Sequence, residues 1–197
     1  MNFDEVMAKR QAASDQADRL RTDEQAALDQ ALRQGRAEFD NHMADMLAYL
    51  ARQGVTPRAA VLDKYKPKPH SMFSRTKVEV APEGFVVSYS ARHSPWFHSA
   101  DVILPSGRLW TGLRSSSAAT PIRREFHPFE RDTSTSPTSH SSGFGGFTFR
   151  ASSGQGAPFV DTQRRNYDES VQVPMQEAFA AFAENIIANH KRDLTPS

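Results

Sequence analysis

The densest group of potentially reactive side chains lies in ARHSPWFHSAD, residues 91–101, which contains two histidines and an aspartate. Imidazole nitrogens and carboxylates are common metal ligands, and they are also frequent general acids and bases. His93 and His98 are five positions apart, and Asp101 follows three positions after His98. These residue types raise two hypotheses, a metal site and a hydrolase site.

The strand pattern around this stretch favours a β-hairpin instead. With residues 93–96 as its loop, the hairpin matches apolar positions across two strands. The predicted pairs are Ala91 with His98, Tyr89 with Ala100, Val87 with Val102 and Phe85 with Leu104. Successive side chains of a strand point to opposite faces, so His98 and Asp101 fall on different faces of this hairpin. One ion could not bind both, and we therefore predict no metal site here.

The second candidate for acid–base chemistry is IRREFHPFERD, residues 122–132. A nuclease or another hydrolase would use His127 as a general acid or base, with the neighbouring arginines and glutamates beside it. The stretch also alternates like a strand with one solvated, charged face. A hydrolase built from His93, His98 or His127 requires these histidines to converge on one pocket.

Composition excludes several classes of site. The chain of 197 residues has no cysteine, which excludes disulfides, zinc–thiolate sites, iron–sulfur clusters and cysteine nucleophiles. It contains no nucleotide-binding loop and no serine nucleophile elbow, so we predict no cofactor. The charged N-terminal segment has no apolar signal region, and no stretch is apolar enough to span a membrane. We therefore expect a cytoplasmic protein without a membrane partner.

Charge is distributed unevenly along the chain. The net charge of +1 combines −3 in residues 1–63, +7 in residues 64–165 and −3 in residues 166–197. Either acidic helices lie on a basic sheet, or the basic middle binds an anionic partner such as nucleic acid. The candidate anion contacts are Lys64, Lys66, Lys68, Arg123, Arg124, Arg164 and Arg165.

The first third of the chain has helical periodicity. Apolar or alanine side chains recur at positions 3, 6, 7, 13, 17 and 20. The residues TDEQ, Thr22–Gln25, match a capping box. This predicts either that a second helix begins there and forms a helical hairpin with the first, or that one long helix is interrupted. The second helix carries a heptad-like seam of apolar residues: Leu28, Leu32, Phe39, Met43, Met46 and Leu50. A narrow stripe of this kind buries little by itself, so it must pack on the rest of the chain or on another chain.

The rest of the chain changes to strand periodicity. KYKPKPHS, residues 64–71, predicts an extended basic linker because prolines interrupt it. The strand-like segments that follow are interrupted by the Ser/Thr-rich residues 131–143, which we predict to be a loop. Pro174 is expected to begin a last helix, because proline is favoured at a helix start.

The sequence thus predicts an α+β protein. A helical region covers residues 1–63, the linker covers 64–71, and a β domain covers 72–197. The β domain is expected to be an antiparallel meander of about five to seven strands, with the C-terminal helix packed on the sheet.

The preferred functional hypothesis is a non-enzymatic interaction, adaptor or assembly protein that acts through the seam. A homodimer would supply the partner helix most simply. Two alternatives stay open: a nucleic-acid-binding protein that uses the basic middle, and a hydrolase that uses histidines of the β domain.

Overall fold

The computed structural model describes residues 2–65, 77–91, 97–115, 122–131, 136, 138–154, 157–165 and 169–191. Its elements, in chain order, are helix α1 (Phe3–Arg52), strands β1 (Val61–Tyr65), β2 (Lys77–Val80), β3 (Phe85–Ala91), β4 (Phe97–Ile103), β5 (Leu109–Ser115), β6 (Ile122–Phe126), β7 (Ser139–Phe144), β8 (Phe147–Gly154), β9 (Ala157–Arg165) and β10 (Ser170–Val173), and helix α2 (Met175–His190). The α+β class is confirmed, and the last helix follows Pro174 as predicted.

The predicted helical hairpin is wrong, because α1 is one continuous helix of 50 residues. Thr22 does not cap a new helix; its hydroxyl donates a hydrogen bond of 2.9 Å to the carbonyl of Asp18, one turn earlier. A threonine inside a helix bonds in this way without ending it. No glycine or proline lies between Phe3 and Gln34 to break the helix. At 1.5 Å per residue, α1 is about 75 Å long.

The strands form two antiparallel sheets of four, in the orders β3-β4-β5-β6 and β10-β9-β8-β7, while β1 pairs with β2. The described part thus has more strands than the five to seven predicted. One extra strand is β7, which occupies part of the segment predicted to be a loop. It is held in place by the β7–β8 turn, where Gly145 and Gly146 have φ of 57° and 86°. Two positive φ values in a two-residue loop suit the twist of a hairpin.

The β3–β4 hairpin confirms the predicted pairing near its loop. Ala91 pairs with His98 and Tyr89 pairs with Ala100. A bulge between Val86 and Ser88 then shifts the register, so that the other two predicted pairs are wrong. The observed pairs are Phe85 with Ile103 and Val86 with Val102. A bulge inserts one unpaired residue, which the alternation of apolar residues does not reveal.

The bulge is stabilised from the far end of the chain. The buried side chain of Asn189 in α2 donates hydrogen bonds of 3.0 Å and 3.2 Å to the carbonyls of Val86 and Val87. Arg58 in turn donates to the carbonyls of Asn189 and His190, at 3.4 Å and 2.9 Å. Carbonyls at a helix C-terminus lack partners inside the helix, and a cation satisfies them.

One large core lies between the two helices and both four-stranded sheets. Phe39 of α1 is fully buried there, and its ring centroid lies 4.9 Å from that of Phe179 and 5.4 Å from that of Phe149. Both contacts are edge-to-face, the arrangement aromatic rings prefer. The other face of the β3–β6 sheet has a smaller core: Ala60, Ala81, Val86, Ala100, Val102 and Trp110. The chain segments around Ala60 and Ala81, rather than a helix, contribute its outer members.

Candidate interaction surface

The predicted seam of α1 is buried inside the chain. Its six residues, Leu28, Leu32, Phe39, Met43, Met46 and Leu50, have exposed fractions of at most 8%. They belong to the large core, in which α1 packs on strands β8 and β9 and on α2. The chain itself therefore covers this seam, and a partner is not needed to bury it.

The N-terminal half of the same helix is exposed. From Phe3 to Asp23 every side chain is exposed, except that of Val6, which is partly buried. The first residue of α1 that is buried is Ala27. The segment of about 20 residues that precedes the core extends about 30 Å at the rise of an α-helix. One helix is thus a core element over its C-terminal half and a solvated rod over its N-terminal half.

The exposed half continues the apolar face of the buried half. Positions 3, 6, 10, 13, 17 and 20 alternate in steps of three and four, and the same steps lead to Ala27 and Ala31, which are buried. Steps of three and four define the contact face of a two-helix coiled coil. We name the residues at these positions the N-terminal stripe: Phe3, Val6, Arg10, Ala13, Ala17 and Leu20.

Two large side chains of the stripe lie in solvent. Phe3 is 73% exposed and Leu20 is 56% exposed. Met7, beside the stripe, is 48% exposed. Single exposed apolar residues are common on protein surfaces. Phe3 and Leu20 belong to the same stripe of one helix, and each stays more than half exposed.

The exposed half has support for its helical form. Gln11 donates a hydrogen bond of 2.9 Å to Asp15, and Arg21 lies 3.6 Å from the carboxylate of Asp18. Pairs at these spacings stabilise helices modestly. The packed half also provides a formed helix to extend, which removes the unfavourable nucleation step.

A cleft lies where α1 meets the body of the protein. It has a volume of about 800 Å³. Leu20, Ala27 and Pro158 line it, together with the carboxylates of Asp23 and Glu24. We name it the junction cleft. Gln30 and Arg33 also line it, so the cleft carries charges of both signs at the base of the exposed helix.

His127, the candidate general base, is a buried structural residue. The backbone N–H of Phe129 donates to its Nδ1 at 3.2 Å, so Nδ1 is the unprotonated nitrogen. Its Nε2–H then donates to Asp40 Oδ1 at 3.0 Å. Burial lowers the pKa of His127, and the hydrogen bond that His127 donates to Asp40 opposes this only in part. With both nitrogens engaged, no nitrogen is free for a substrate.

Nearby Glu130 is engaged with Arg108. Its carboxylate lies 2.9 Å from the Arg108 guanidinium, and that hydrogen bond lowers the pKa of Glu130. His93 lies outside the described residues, as does the side chain of His98. The convergence of histidines that a hydrolase requires therefore stays a prediction.

Asp101 holds two parts of the fold together. Its carboxylate accepts hydrogen bonds from Ser88 Oγ at 2.8 Å, Thr111 Oγ1 at 2.7 Å and the backbone N–H of Gly145 at 3.3 Å. The last bond joins the β7–β8 turn to the β3–β6 sheet. The described residues include no group of three or more histidine, aspartate or glutamate side chains that could hold a metal ion.

The candidate anion contacts are divided between separate parts of the protein. Arg123 and Arg124 are neighbours on β6 and therefore point to opposite faces. Arg164 lies 3.8 Å from the carboxylate of Glu177, and Arg165 donates 2.9 Å to Thr148. The backbone of Lys64 lies in β1, while Lys66 and Lys68 lie outside the described residues. Arg123 and Arg124 lie in the β3–β6 sheet, whereas Arg164 and Arg165 lie in the other four-stranded sheet.

The sequence predicted an interface at the seam and none at the stripe. Its signal was present in the three-and-four spacing from Phe3 to Leu20. Because this face is largely alanine, we did not expect it to bury much apolar surface. Only the structure reveals that the body of the protein leaves it uncovered.

Comparison with known proteins finds no matching family model, no similar curated protein and no similar solved structure. Neither helix in the described part of the chain is both long and apolar enough to cross a membrane.

Proposed function

We propose that this protein is a non-enzymatic assembly protein that associates through the exposed N-terminal half of α1. The observation that carries the proposal is the N-terminal stripe, which continues the buried face of α1 into solvent. The proposal keeps the interaction on the helix that the sequence favoured, but about 25 residues nearer its N-terminus than the seam.

The energetics support the proposal. Full burial of one large apolar side chain contributes about 1.5–3 kcal/mol. Phe3 and Leu20 retain much of this contribution because both are mostly exposed. A partner helix packed along the stripe would bury them, while Ala13 and Ala17 would let the two helices approach closely.

Light scattering at several protein concentrations tests the proposal. We expect the full chain to associate reversibly, and we expect Phe3→Glu with Leu20→Glu to give a monomer. Both side chains are exposed, so the variant should fold like the parent, which circular dichroism checks. Phe159→Glu is the matched control, because Phe159 is 46% exposed but lies on β9. A monomeric parent, or association that persists in the double variant, would contradict the proposal.

A further inference from the structure

We infer that the groove between α1 and α2 binds a small amphipathic organic cation, an amine that carries an apolar or aromatic body. The groove lies on the packed half of α1 and is separate from the N-terminal stripe. Its side chains offer the two features that such a ligand requires, which are apolar surface and negative charge without a partner. The inference goes beyond the proposed function and does not depend on it.

The groove is an open cavity between two helices that run side by side. Its volume of about 360 Å³ is within the usual range of small-molecule sites. The ring centroid of His42 in α1 lies 5.6 Å from that of Phe179 in α2. Tyr49 and Ile187, seven and eight residues further along their helices, line the same groove. The two helices therefore run in the same direction here, and the groove extends about 11 Å between these two pairs.

The floor of the groove is apolar. Met46 and Ala183 are buried there, and Ile187 is partly buried. On the α2 rim, the small side chain of Ala180 leaves the groove open. On the α1 rim, Tyr49 is 40% exposed, and a ligand in the groove would cover part of its ring. Removal of this surface from water favours a ligand with an apolar body over a small inorganic cation.

Two carboxylates line the groove, and none of the described residues that line it is a lysine or arginine. Asp45 lies on the α1 rim and Glu184 on the α2 rim. They are about 5 Å and 8 Å along their helices from the contact between His42 and Phe179, so the two rims are acidic at nearly the same level. Neither carboxylate has a hydrogen bond or ion pair within the described residues. A ligand cation between them would form charge-assisted hydrogen bonds.

Basic residues lie beyond the C-terminal end of the groove. Arg52 and Lys191 follow Tyr49 and Ile187 by one helical turn and continue the two rims. Arg52 is about 10 Å from Asp45 along α1, which exceeds the Debye length of about 8 Å at physiological ionic strength. Its charge is therefore largely screened at the carboxylates, and the middle of the groove stays acidic.

Two probes that differ only in their charged group test the inference. Naphthylmethylammonium and naphthylacetate share an aromatic body and a methylene group, and both are ionised at about pH 7.5. Saturation-transfer NMR titrations measure the affinity of each probe for the full chain. We expect the ammonium probe to bind at least about fivefold more tightly, because each exposed ion pair contributes modestly and two carboxylates act together. Added salt should reduce this preference.

Variants of the groove locate the site. Asp45→Asn with Glu184→Gln should abolish the preference for the ammonium probe and keep the fold, which circular dichroism checks. The matched control is Glu5→Gln with Asp15→Asn, which removes the same charge from exposed positions outside the groove and should keep the preference. Ala180→Trp places a large ring over the groove and should weaken the binding of both probes several-fold.

Three outcomes would overturn the inference. The first is that neither probe binds, and the second is that both bind equally tightly or that the preference survives in the Asp45→Asn, Glu184→Gln variant. The third is that the ammonium probe dissociates an assembly of the parent chain as it fills the groove, because a second copy would then be the occupant. The dependence of association on Phe3 and Leu20 is measured separately, so the proposed function stands or fails on its own test.

Discussion

At the scale of single residues, His127 resembles a catalytic histidine in its neighbours, but both of its ring nitrogens are already hydrogen-bonded. Asp40 orients its ring, as a carboxylate does in many active sites. The backbone N–H of Phe129 donates a hydrogen bond to the other ring nitrogen, Nδ1. The ring of Phe39 packs edge-on against it, with centroids 5.0 Å apart. The hydrogen bond between His127 and Asp40 therefore stabilises the contact between α1 and the turn after β6.

The lowered pKa of His127 predicts a pH dependence of stability. The unfolded chain binds a proton near the ordinary histidine pKa of about 6.5, while the folded protein resists protonation. The unfolded state therefore binds more protons in this range. We expect the free energy of unfolding to be highest above pH 7 and to fall as pH is lowered from 6.5 toward 5. Urea denaturation at half-unit steps of pH measures it.

His127→Gln is the control for this pH effect, because it removes the titrating group and keeps a side chain that can donate to Asp40. The variant should lose part of the slope between pH 7 and 5. Glu130 does not interfere, because its lowered pKa affects stability only below about pH 4.5. Equal slopes in parent and variant would exclude His127 as the source.

A second residue-scale prediction concerns Asn189. Asn189→Ala removes both hydrogen bonds to the bulge and leaves the carbonyls of Val86 and Val87 without those donors. Leaving buried polar groups unsatisfied costs about 1–3 kcal/mol, and we expect a loss of stability in that range. Asn185→Ala, at an exposed position of α2, should change stability by less than about 0.5 kcal/mol. Similar losses in both variants would refute the role assigned to Asn189.

At the scale of elements, α1 has a C-terminal half that is packed in the core and an N-terminal half that is exposed to solvent. Gly35 belongs to the packed half, where a Cβ would lie 2.5 Å from the ring of Phe129. A glycine in a helix costs about 1 kcal/mol relative to alanine, so its presence here reflects the close approach of that ring. The exposed half has no such constraint and is rich in alanine.

Matched substitutions distinguish the two halves of α1. Leu32→Glu with Met43→Glu places two carboxylates in the large core, where both parent side chains are at least 90% buried. An unpaired buried charge costs several kcal/mol, so we expect this variant to unfold or to lose most of its thermal stability. Phe3→Glu with Leu20→Glu should keep the melting temperature within a few degrees. A folded, stable Leu32→Glu, Met43→Glu variant would show that the seam is not essential to the core.

At the scale of the whole molecule, the acidic terminal regions differ in how they contact the basic middle of the chain. The acidic α2 and the packed half of α1 lie on the sheets, as one of the two charge hypotheses expected. Arg164 beside Glu177 and Arg131 beside Asp29, 3.2 Å apart, are local examples. The exposed half of α1 carries acidic and basic residues in alternating blocks. Within the described residues, the ion pair of this half, Arg21 with Asp18, lies inside the helix itself.

The sequence by itself determined the features that depend on neighbours in the chain. Periodicity gave the α+β class, Pro174 marked the start of α2, and alternation gave the pairs of Ala91 and Tyr89 near their loop. Each of these rests on backbone geometry and side-chain patterns within a few residues.

The tertiary structure decided what covers each apolar face. An apolar stripe reveals which side of a helix avoids water, but its cover comes from residues distant in the sequence. Leu28 to Leu50 pack on β8, β9 and α2, whereas Phe3 to Leu20 on the same helix extend past them into solvent. The bulge at Val87 likewise depends on Asn189, about 100 residues away. Such contacts are formed by the packing of whole elements, and no local pattern contains them.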